Sequence, residues 1–457
     1  MGIKKYRLEQ DFMGVVNVSA DSPWGAQTER ARQHFKVGQE RMPWEIIHAL
    51  ILLKKAAAKV NASLGQLSPK KAKIIVEICD ELLGNLGEIL EYFPLNIWQS
   101  GSGTQTNMNI NEVIANLAKD PIHPNDDVNM SQSTNDLFPT AMHLATIVVL
   151  RTKLLPSLSK LRLKLAVLSK KFGSIVKIGR THLQDAVPLT LGQEFSGYLA
   201  QIELAMEQIR QSMQPLYHLA IGGTAVGTGL NAPDNFDHSM AKLLRKMMGI
   251  PFRVTPNKFH MLSSHEPLLI VSGTMKTLAT ALYKIANDIR WLASGPCCGL
   301  GELMLPANEP GSSIMPGKVN PTQCEMLLMV CAQVIGNDST ISFANAHGDF
   351  ELNIFKPVII YNLLQSINLI SEAVVSFTKY ALTGIRANHK RITYLLGRSS
   401  SMVAALNPIV GYDRACSVAN LSMREGISLR EACLALGYLT AKDFDKIMAD
   451  AYGIDSC

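Results

Sequence analysis

The sequence of 457 residues predicts an all-α protein built around a bundle of long helices. Hydrophobic residues make up 47% of the chain and aromatic residues only 6%, so aliphatic and methionine side chains, which favour helices, must fill the core. Five segments repeat apolar residues at helical spacing over about 25 residues, whereas strand-like alternation is scarce. Helices of about that length (~38 Å) are seldom stable alone, so their apolar faces require a bundle.

The chain divides into three predicted domains. Residues 1–134 mix loops with helices, which are predicted at 43–62 and 68–90. Residues 135–389 hold the bundle, whose five helices are predicted at 137–172, 189–213, 266–293, 321–344 and 356–383. Pro156 lies inside the first of these runs and predicts a kink or a break, because proline lacks a backbone N–H. Residues 390–457 are predicted to form a small helical domain, with helices at 391–396, 413–425, 428–436 and 441–451.

Composition and charge argue against several classes of protein. The net charge of +6 is scattered along the chain, without the basic stripe that nucleic-acid binding requires. No uncharged apolar run reaches the ~18 residues of a membrane span, and the N-terminus has no apolar signal region, so we expect a cytoplasmic protein. The eight cysteines show no C-x-x-C pair and no nearby histidine set, so we expect reduced core thiols, including a structural pair at Cys297 and Cys298.

Residues 311–321 read Gly-Ser-Ser-Ile-Met-Pro-Gly-Lys-Val-Asn-Pro and form the most informative segment of the chain. Its glycines and prolines indicate a loop, which can bring a hydroxyl, a cation and an amide onto one small anion. The segment is not a phosphate-binding P-loop, because five residues separate Gly311 from Gly317 and Val319 follows the lysine. We therefore expect a site for a small anionic substrate.

This loop and other segments resemble those of class II fumarases, in the fumarase/aspartase superfamily. The other segments are Gly-Ser-Gly-Thr-Gln-Thr-Asn-Met-Asn at 101–109, His-Pro-Asn-Asp at 123–126, Gly-Arg-Thr-His at 179–182, Gly-Gly-Thr-Ala-Val-Gly-Thr-Gly at 222–229, Pro-Asn-Lys-Phe at 256–259, Phe-Glu-Leu-Asn at 350–353 and Ala-Leu-Asn-Pro at 405–408. The resemblance covers nearly the entire chain. It implies three domains with a central five-helix bundle, and a homotetramer that pools its bundles into a twenty-helix core with active sites shared between subunits.

The resemblance also implies a reaction, the reversible anti addition of water to fumarate that gives L-malate in the tricarboxylic acid cycle, with no metal and no organic cofactor. Such a site must clamp two carboxylates, stabilise extra negative charge and supply one acid and one base. Ser312 matches the family's catalytic base, and its alkoxide needs nearby donors and Lys318. His182 matches the acid/base on the oxygen side, and Glu325 matches the glutamate that pairs with it.

The remaining matched residues are binding candidates. The resemblance assigns substrate binding to Ser102, Gly103, Thr104, Ser133, Thr134, Asn135, Thr181, Ser313, Lys318, Val319 and Asn320. It assigns a secondary dicarboxylate site to His123, Pro124, Asn125 and Asp126. Serine, threonine and asparagine also cap helices routinely, so helix capping is the alternative role for the first group, and a helix start is the alternative for the second.

Two other functions stay open at this point. An aspartate ammonia-lyase shares Leu183 and the Gln-Ser-Thr-Asn-Asp pattern at 132–136 with this chain, but it carries glutamine in place of His182 and alanine in place of Gly317. A catalytically retired homologue that serves as a structural protein could tolerate the loss of the four catalytic candidates, yet all four are present. Fumarate hydratase is therefore the leading hypothesis.

Overall fold

The structure is a computed structural model, and it describes residues 6–85 and 89–451. Within these residues the chain is dominated by α-helices, and the strands are short. The α-helices are Ala26–His34, Trp44–Ser63, Pro69–Gly84, Thr104–Leu117, Thr134–Val149, Leu155–Lys171, Leu191–Ser212, Phe236–Met248, Lys258–Ser263, Glu266–Leu292, Thr322–Asn345, Lys356–Phe377, His389–Arg398, Asn407–Val410, Tyr412–Glu425, Leu429–Ala435 and Ala441–Ala451. This confirms the predicted all-α class.

The strands form two-stranded sheets. Four of these in the described residues are antiparallel: Tyr6–Asp11 with Gly14–Ser19, Val176–Thr181 with Gln184–Thr190, Leu303–Met304 with Arg386–Ala387, and Gly348–Asp349 with Leu352–Asn353. One is parallel, His218–Leu219 with Arg253–Val254. The strands serve as hairpins and braces between helices, because none of these sheets is wide enough to carry a core of its own.

The predicted break at Pro156 is a π-helical turn. Leu150–Leu154 forms this turn and joins Thr134–Val149 to Leu155–Lys171. Pro156 cannot donate the hydrogen bond of a helix interior, and a widened turn just before it accommodates the missing donor. The first long run therefore continues past the proline as one interrupted helix.

The chain folds into two compact units, each assembled from three stretches. Unit 1 comprises Met1–Pro156, Met206–Ala279 and Ala332–Ser371, and unit 2 comprises Ser157–Ala205, Thr280–Cys331 and Glu372–Cys457. Every boundary between the stretches falls inside one of the long helical runs. The division into domains 1–134, 135–389 and 390–457 stays a prediction.

Aliphatic side chains fill both cores, as the composition predicts. In unit 1, Leu50, Leu137 and Phe138 are fully buried. In unit 2, the rings of Phe172 and Phe195 are buried and pack edge to face, with centroids 5.3 Å apart. A separate buried cluster closes the C-terminal part of unit 2, and it includes Met402, Leu406, Val418, Ala432 and Phe444.

Three helical runs, Thr134–Lys171, Thr322–Asn345 and Lys356–Leu382, are long and apolar enough to cross a membrane by length and composition alone. The sequence criterion counted only runs without any charge, so it did not single out these helices.

The expectation of core cysteines holds for four thiols and is wrong for the pair at 297 and 298. Cys79, Cys324, Cys331 and Cys433 are buried as expected, and burial raises the pKa of the Cys79 thiol to about 12. Cys297 and Cys298 are exposed, so the pair is not part of the core. Cys457 lies outside the described residues.

Candidate active site

The predicted site residues fall into both units. Unit 1 holds the segments 102–104, 123–126 and 133–135, whereas unit 2 holds Thr181 and His182, the loop 311–321 and Glu325.

In unit 1, the first binding segment forms the start of helix Thr104–Leu117. Gly103 caps this helix with a φ of 84°, and the Oγ of Ser102 lies 2.7 Å from the Oγ1 of Thr104. A Cβ on Gly103 would lie 2.4 Å from the ring of Phe138, so only glycine fits there. The segment places two adjacent hydroxyls at a helix N-terminus, and such an arrangement suits a carboxylate.

The second binding segment forms the start of helix Thr134–Val149. Ser133 caps the helix, since its Oγ accepts a hydrogen bond from the N–H of Asn135 at 3.2 Å. The Nδ2 of Asn135 donates to the backbone oxygen of Ala225 at 2.8 Å, and the buried Thr134 Oγ1 accepts from the Nδ2 of Asn107 at 3.0 Å. The capping role foreseen as an alternative is therefore present at Ser133, and all three polar side chains are held in fixed contacts.

Asp136 is a buried carboxylate that the sequence analysis missed. One oxygen accepts from the N–H of Ser133 at 3.0 Å, and the other accepts from the N–H groups of Gly222 and Thr224 at 2.8 and 2.9 Å. Burial raises the pKa of Asp136 to about 6, although these three N–H donors and Lys54 oppose the rise. Asp136 thus ties the glycine-rich segment 222–229 to the binding segment next to it.

Lys54 is a second buried charge that the sequence analysis missed. Its Nζ donates to the Oδ1 of Asn129 at 2.8 Å and to the Oε1 of Gln132 at 3.0 Å, and its side chain is fully buried. Burial lowers the pKa of Lys54 to about 7, whereas the Asp136 carboxylate acts in the opposite direction. Asn107 donates to the same Asn129 oxygen at 3.1 Å, so a continuous polar network connects Lys54 with the Asn107 amide that holds Thr134.

A signal for Lys54 was present in the sequence. It lies in helix Trp44–Ser63, where Ile47, Leu50 and Ala57 are buried at the helical spacing that also includes position 54. A lysine on the apolar face of a helix needs buried polar partners. That position could have indicated the network in advance.

The segment 123–126 starts a π-helical turn, Pro124–Val128. The Nδ1 of His123 accepts a hydrogen bond from the N–H of Asp126 at 3.0 Å, and both side chains are exposed. The buried carboxylate here belongs to Asp127, which lies 2.7 Å from the Nζ of Lys71. The helix-start role is present, and the secondary dicarboxylate site stays a prediction.

In unit 2, His182 lies at the tip of a β-hairpin. Strands Val176–Thr181 and Gln184–Thr190 are joined by His182 and Leu183, whose φ angles are 57° and 59°. Such a two-residue turn matches the twist of a hairpin, but the left-handed region costs energy for residues other than glycine. Both side chains are exposed in the single chain.

A buried ionic cluster anchors this hairpin. Arg180 forms a bidentate pair with Glu302, with both N–O distances at 2.9 Å. The Nζ of Lys177 lies 3.3 Å from the same carboxylate and 3.2 Å from Glu194, and Lys177 and Glu302 are fully buried. Because a bidentate pair fixes orientation as well as distance, the cluster holds the strand that carries Thr181. The sequence analysis did not identify Glu302 or Lys177.

The loop 311–321 places hydrogen-bond donors on Ser312. The Oγ of Ser312 accepts from the N–H of Ile314 at 3.2 Å and of Met315 at 3.1 Å. The loop is closed by Gly311, whose N–H donates to the oxygen of Lys318 at 2.9 Å and whose oxygen accepts from the Nδ2 of Asn320 at 2.7 Å. These contacts stabilise the turn, and they also supply the donors that an alkoxide at Ser312 requires.

The rest of the loop is open to solvent. Ser313, Lys318 and Val319 are exposed, and Glu325 is exposed in the first turn of helix Thr322–Asn345. No hydrogen bond or ion pair joins Glu325 to His182 within the part of the chain that the structure describes. The predicted pair is therefore not formed within one chain.

Among residues 6–85 and 89–451, no group of three or more histidine, cysteine, aspartate or glutamate side chains is arranged to hold a metal ion. The polar chemistry of the candidate site is carried by hydroxyls, amides, one imidazole and one exposed lysine.

Comparison with known proteins assigns the class. The model of the lyase family matches residues 14–336, and the model described as the fumarase C C-terminus matches residues 402–449. The chain is 58% identical to a fumarate hydratase class II of Thermosynechococcus vestitus over 96% of each chain, and 53% identical to a mitochondrial fumarate hydratase of Rhizopus oryzae over 97% of this chain and 92% of that one.

A solved structure, a class II fumarase from Schistosoma mansoni, is 40% identical and covers 99% of each chain with a TM-score of 0.92. The chain therefore belongs to the class II fumarase family of lyases.

Proposed function

We propose that this protein is a fumarate hydratase that interconverts fumarate and L-malate by adding or removing water. The observation that carries the proposal is the pair of backbone N–H groups on the Ser312 hydroxyl, in a loop whose sequence resembles the family's catalytic loop. Relatives at 52–58% identity that bear the name fumarate hydratase class II support it.

In the malate-to-fumarate direction, Ser312 removes the carbon-bound proton next to a carboxylate. A free hydroxyl is far too weakly acidic for this step, so its alkoxide must be stabilised before the reaction. The N–H groups of Ile314 and Met315 contribute fixed donors, and the ammonium of Lys318 supplies a positive charge six residues along the same loop. The negative charge of the alkoxide is then held by donors that need no rearrangement.

His182 acts on the oxygen side of the substrate, through a bound water that takes or gives the second proton. A carboxylate partner, Glu325, orients the imidazole. Because the two side chains do not pair within one chain, we propose that Glu325 of another subunit completes the pair. The exposure of both groups supports this arrangement.

In the proposed tetramer, the substrate carboxylates are clamped by hydroxyls and amides that different subunits contribute. In unit 1 these are Ser102, Gly103, Thr104, Ser133, Thr134 and Asn135, and in unit 2 they are Thr181, Ser313, Lys318, Val319 and Asn320. Clamping both carboxylates fixes the geometry of anti addition, in which the proton and the hydroxyl enter from opposite faces. A secondary dicarboxylate site at residues 123–126 is part of the same proposal.

Assembly as a homotetramer, with a twenty-helix core, is supported by apolar surface on helix Thr322–Asn345. Only 33% of the most apolar 18-residue window of this helix is buried, and Met329 and Phe343 are 68% and 65% exposed. Exposed apolar surface of this kind normally marks an interface. We place the enzyme in the cytoplasm and in the tricarboxylic acid cycle, as a cofactor-independent catalyst.

The direct test is an absorbance assay for fumarate, with L-malate or L-aspartate as the only substrate. We expect fumarate to form from malate and not from aspartate, and activity to survive prolonged chelation. Fumarate formation from aspartate alone would identify an ammonia-lyase instead, and activity with neither substrate would identify a retired homologue. Loss of activity on chelation with recovery on adding a metal would refute the cofactor-independent chemistry.

A further inference from the structure

Cys297 and Cys298 are the exposed cysteines of the part of the chain that the structure describes. The other cysteines there are buried, apart from the half-buried Cys416. Burial raises the pKa of Cys324 and of Cys331 to about 12, which keeps these thiols protonated and unreactive. Two accessible thiols on neighbouring residues therefore stand apart from the buried cysteines.

The loop that carries the pair is fixed at both ends. The Oγ of Ser294 accepts from the N–H of Leu300 at 3.0 Å, which closes the loop across its base. The guanidinium of Arg391 donates to the backbone oxygens of Gly299 and Leu300 at 2.8 and 2.9 Å. A Cβ on Gly299 would lie 2.5 Å from the carbonyl carbon of Ser294, so the base is also tightly packed. Because its base is held in this way, the backbone that carries the two cysteines forms a short closed loop, which lowers the ordering cost of binding.

Neighbouring thiols restrict the ligand chemistry. A direct disulfide is strained, because adjacent Cα atoms are about 3.8 Å apart and disulfides favour about 4.4–6.8 Å. A zinc ion requires about four protein ligands, and no cluster of three or more is present among the described residues. A soft atom that binds both sulfurs and keeps one substituent of its own avoids the strain of a direct disulfide. It also needs no further protein ligand.

We propose that Cys297 and Cys298 form a capture site for a monosubstituted trivalent arsenical. The arsenic oxide of such a compound accepts the two thiol protons, two As–S bonds form in place of the arsenic–oxygen bonds, and one water leaves. Arsenic stays trivalent, so neither an oxidant nor a reductant is required. The second As–S bond closes within one molecule, so the second thiol acts at a high effective concentration. Such an effect typically raises affinity by ~10²–10⁴-fold over a single thiol.

The test uses the native, fully assembled protein and phenylarsine oxide at one equivalent per chain. We expect the intact mass to rise by one phenylarsine oxide less one water per chain, and two thiols per chain to disappear from a titration with a chromogenic disulfide. Excess monothiol should leave the adduct in place, whereas a small 1,2-dithiol should remove it. In peptide mapping, the adduct should protect Cys297 and Cys298 together from alkylation.

The matched variants are Cys297→Ser and Cys298→Ser, with Cys416→Ser as the control. Each of the first two should lose about 10²-fold or more in affinity under competing monothiol, because only one As–S bond remains, and the control should bind as the wild type does. The proposal is overturned if the native assembly gains no adduct, or if either single variant retains wild-type affinity. Protection from alkylation in the wild-type protein decides the matter even if a variant fails to fold. None of these readouts uses enzyme activity, so they are independent of the proposed function.

Discussion

The buried carboxylate of Asp136 offers the sharpest test of how the fold supports the substrate clamp. In Asp136→Asn, the side chain keeps one acceptor oxygen and gains an NH₂ group. If the oxygen stays with the N–H groups of Gly222 and Thr224, the new NH₂ group faces the N–H of Ser133. If the amide flips, the NH₂ group faces the N–H groups of Gly222 and Thr224 instead. Either orientation leaves at least one buried donor unsatisfied, which costs about 1–3 kcal/mol.

A second contribution comes from Lys54, which loses its buried negative partner. Because the pKa of Lys54 is already lowered to about 7, the ammonium can release its proton. The added loss of stability is therefore smaller than that of a buried charge without a partner. We expect a total loss of about 2–4 kcal/mol in the free energy of unfolding. Since the helix start that carries Thr134 and Asn135 is no longer tied to segment 222–229, KM for malate should rise about tenfold, equivalent to ~1.4 kcal/mol of binding.

Stability is measured by urea unfolding monitored through tryptophan fluorescence. Separate kcat and KM values come from the fumarate absorbance assay. The matched control is Asp120→Asn, which removes a partly exposed carboxylate 3.2 Å from Lys70 and should change the unfolding free energy by less than about 1 kcal/mol. If Asp136→Asn matched this control in both stability and KM, the carboxylate would not hold the clamp and the reasoning would fail.

Three further predictions concern catalysis, assembly and pH. Ser312→Ala and His182→Asn should each lower kcat by ~10²–10⁴-fold with unchanged circular dichroism, and near wild-type kcat in either variant would remove its assigned role. Unfolding the two variants together and refolding them should restore part of the activity in mixed tetramers, whereas an active monomer in light scattering would refute shared sites. Burial lowers the pKa of Lys54 from 10.5 to about 7, so the folded state binds fewer protons than the unfolded state between these values. The free energy of unfolding should therefore rise with pH from 7 to about 9, and Lys54→Met should lose that rise in urea unfolding at each pH.

Local features were predicted well from the sequence. The helix predicted at 441–451 is found as Ala441–Ala451, and the long runs were placed within a few residues of their ends. The break at Pro156 and the loop around Ser312 also followed from local rules, because proline and glycine act on their own backbone.

Features that depend on distant contacts were not predicted. The N–H groups that Asp136 holds lie 86 and 88 residues further along the chain, and Arg180 meets Glu302 across 122 residues. No periodicity or turn signal encodes such separations. The hairpin of Tyr6–Asp11 and Gly14–Ser19 was missed for a different reason, since its alternation is short and much of its apolar surface, including Leu8, is exposed.

The interleaving of the two units has a consequence for synthesis on the ribosome. Unit 1 needs Ala332–Ser371 to be complete, and unit 2 needs Glu372–Cys457, so neither can close while the first two thirds of the chain emerge. At about 5–20 residues per second, roughly 20–70 s pass before unit 1 has all of its stretches. During that interval the apolar faces of the early long helices have no final partner. The nascent chain must therefore be shielded from aggregation by chaperones or by transient packing among its own helices, and folding is completed only near the end of translation.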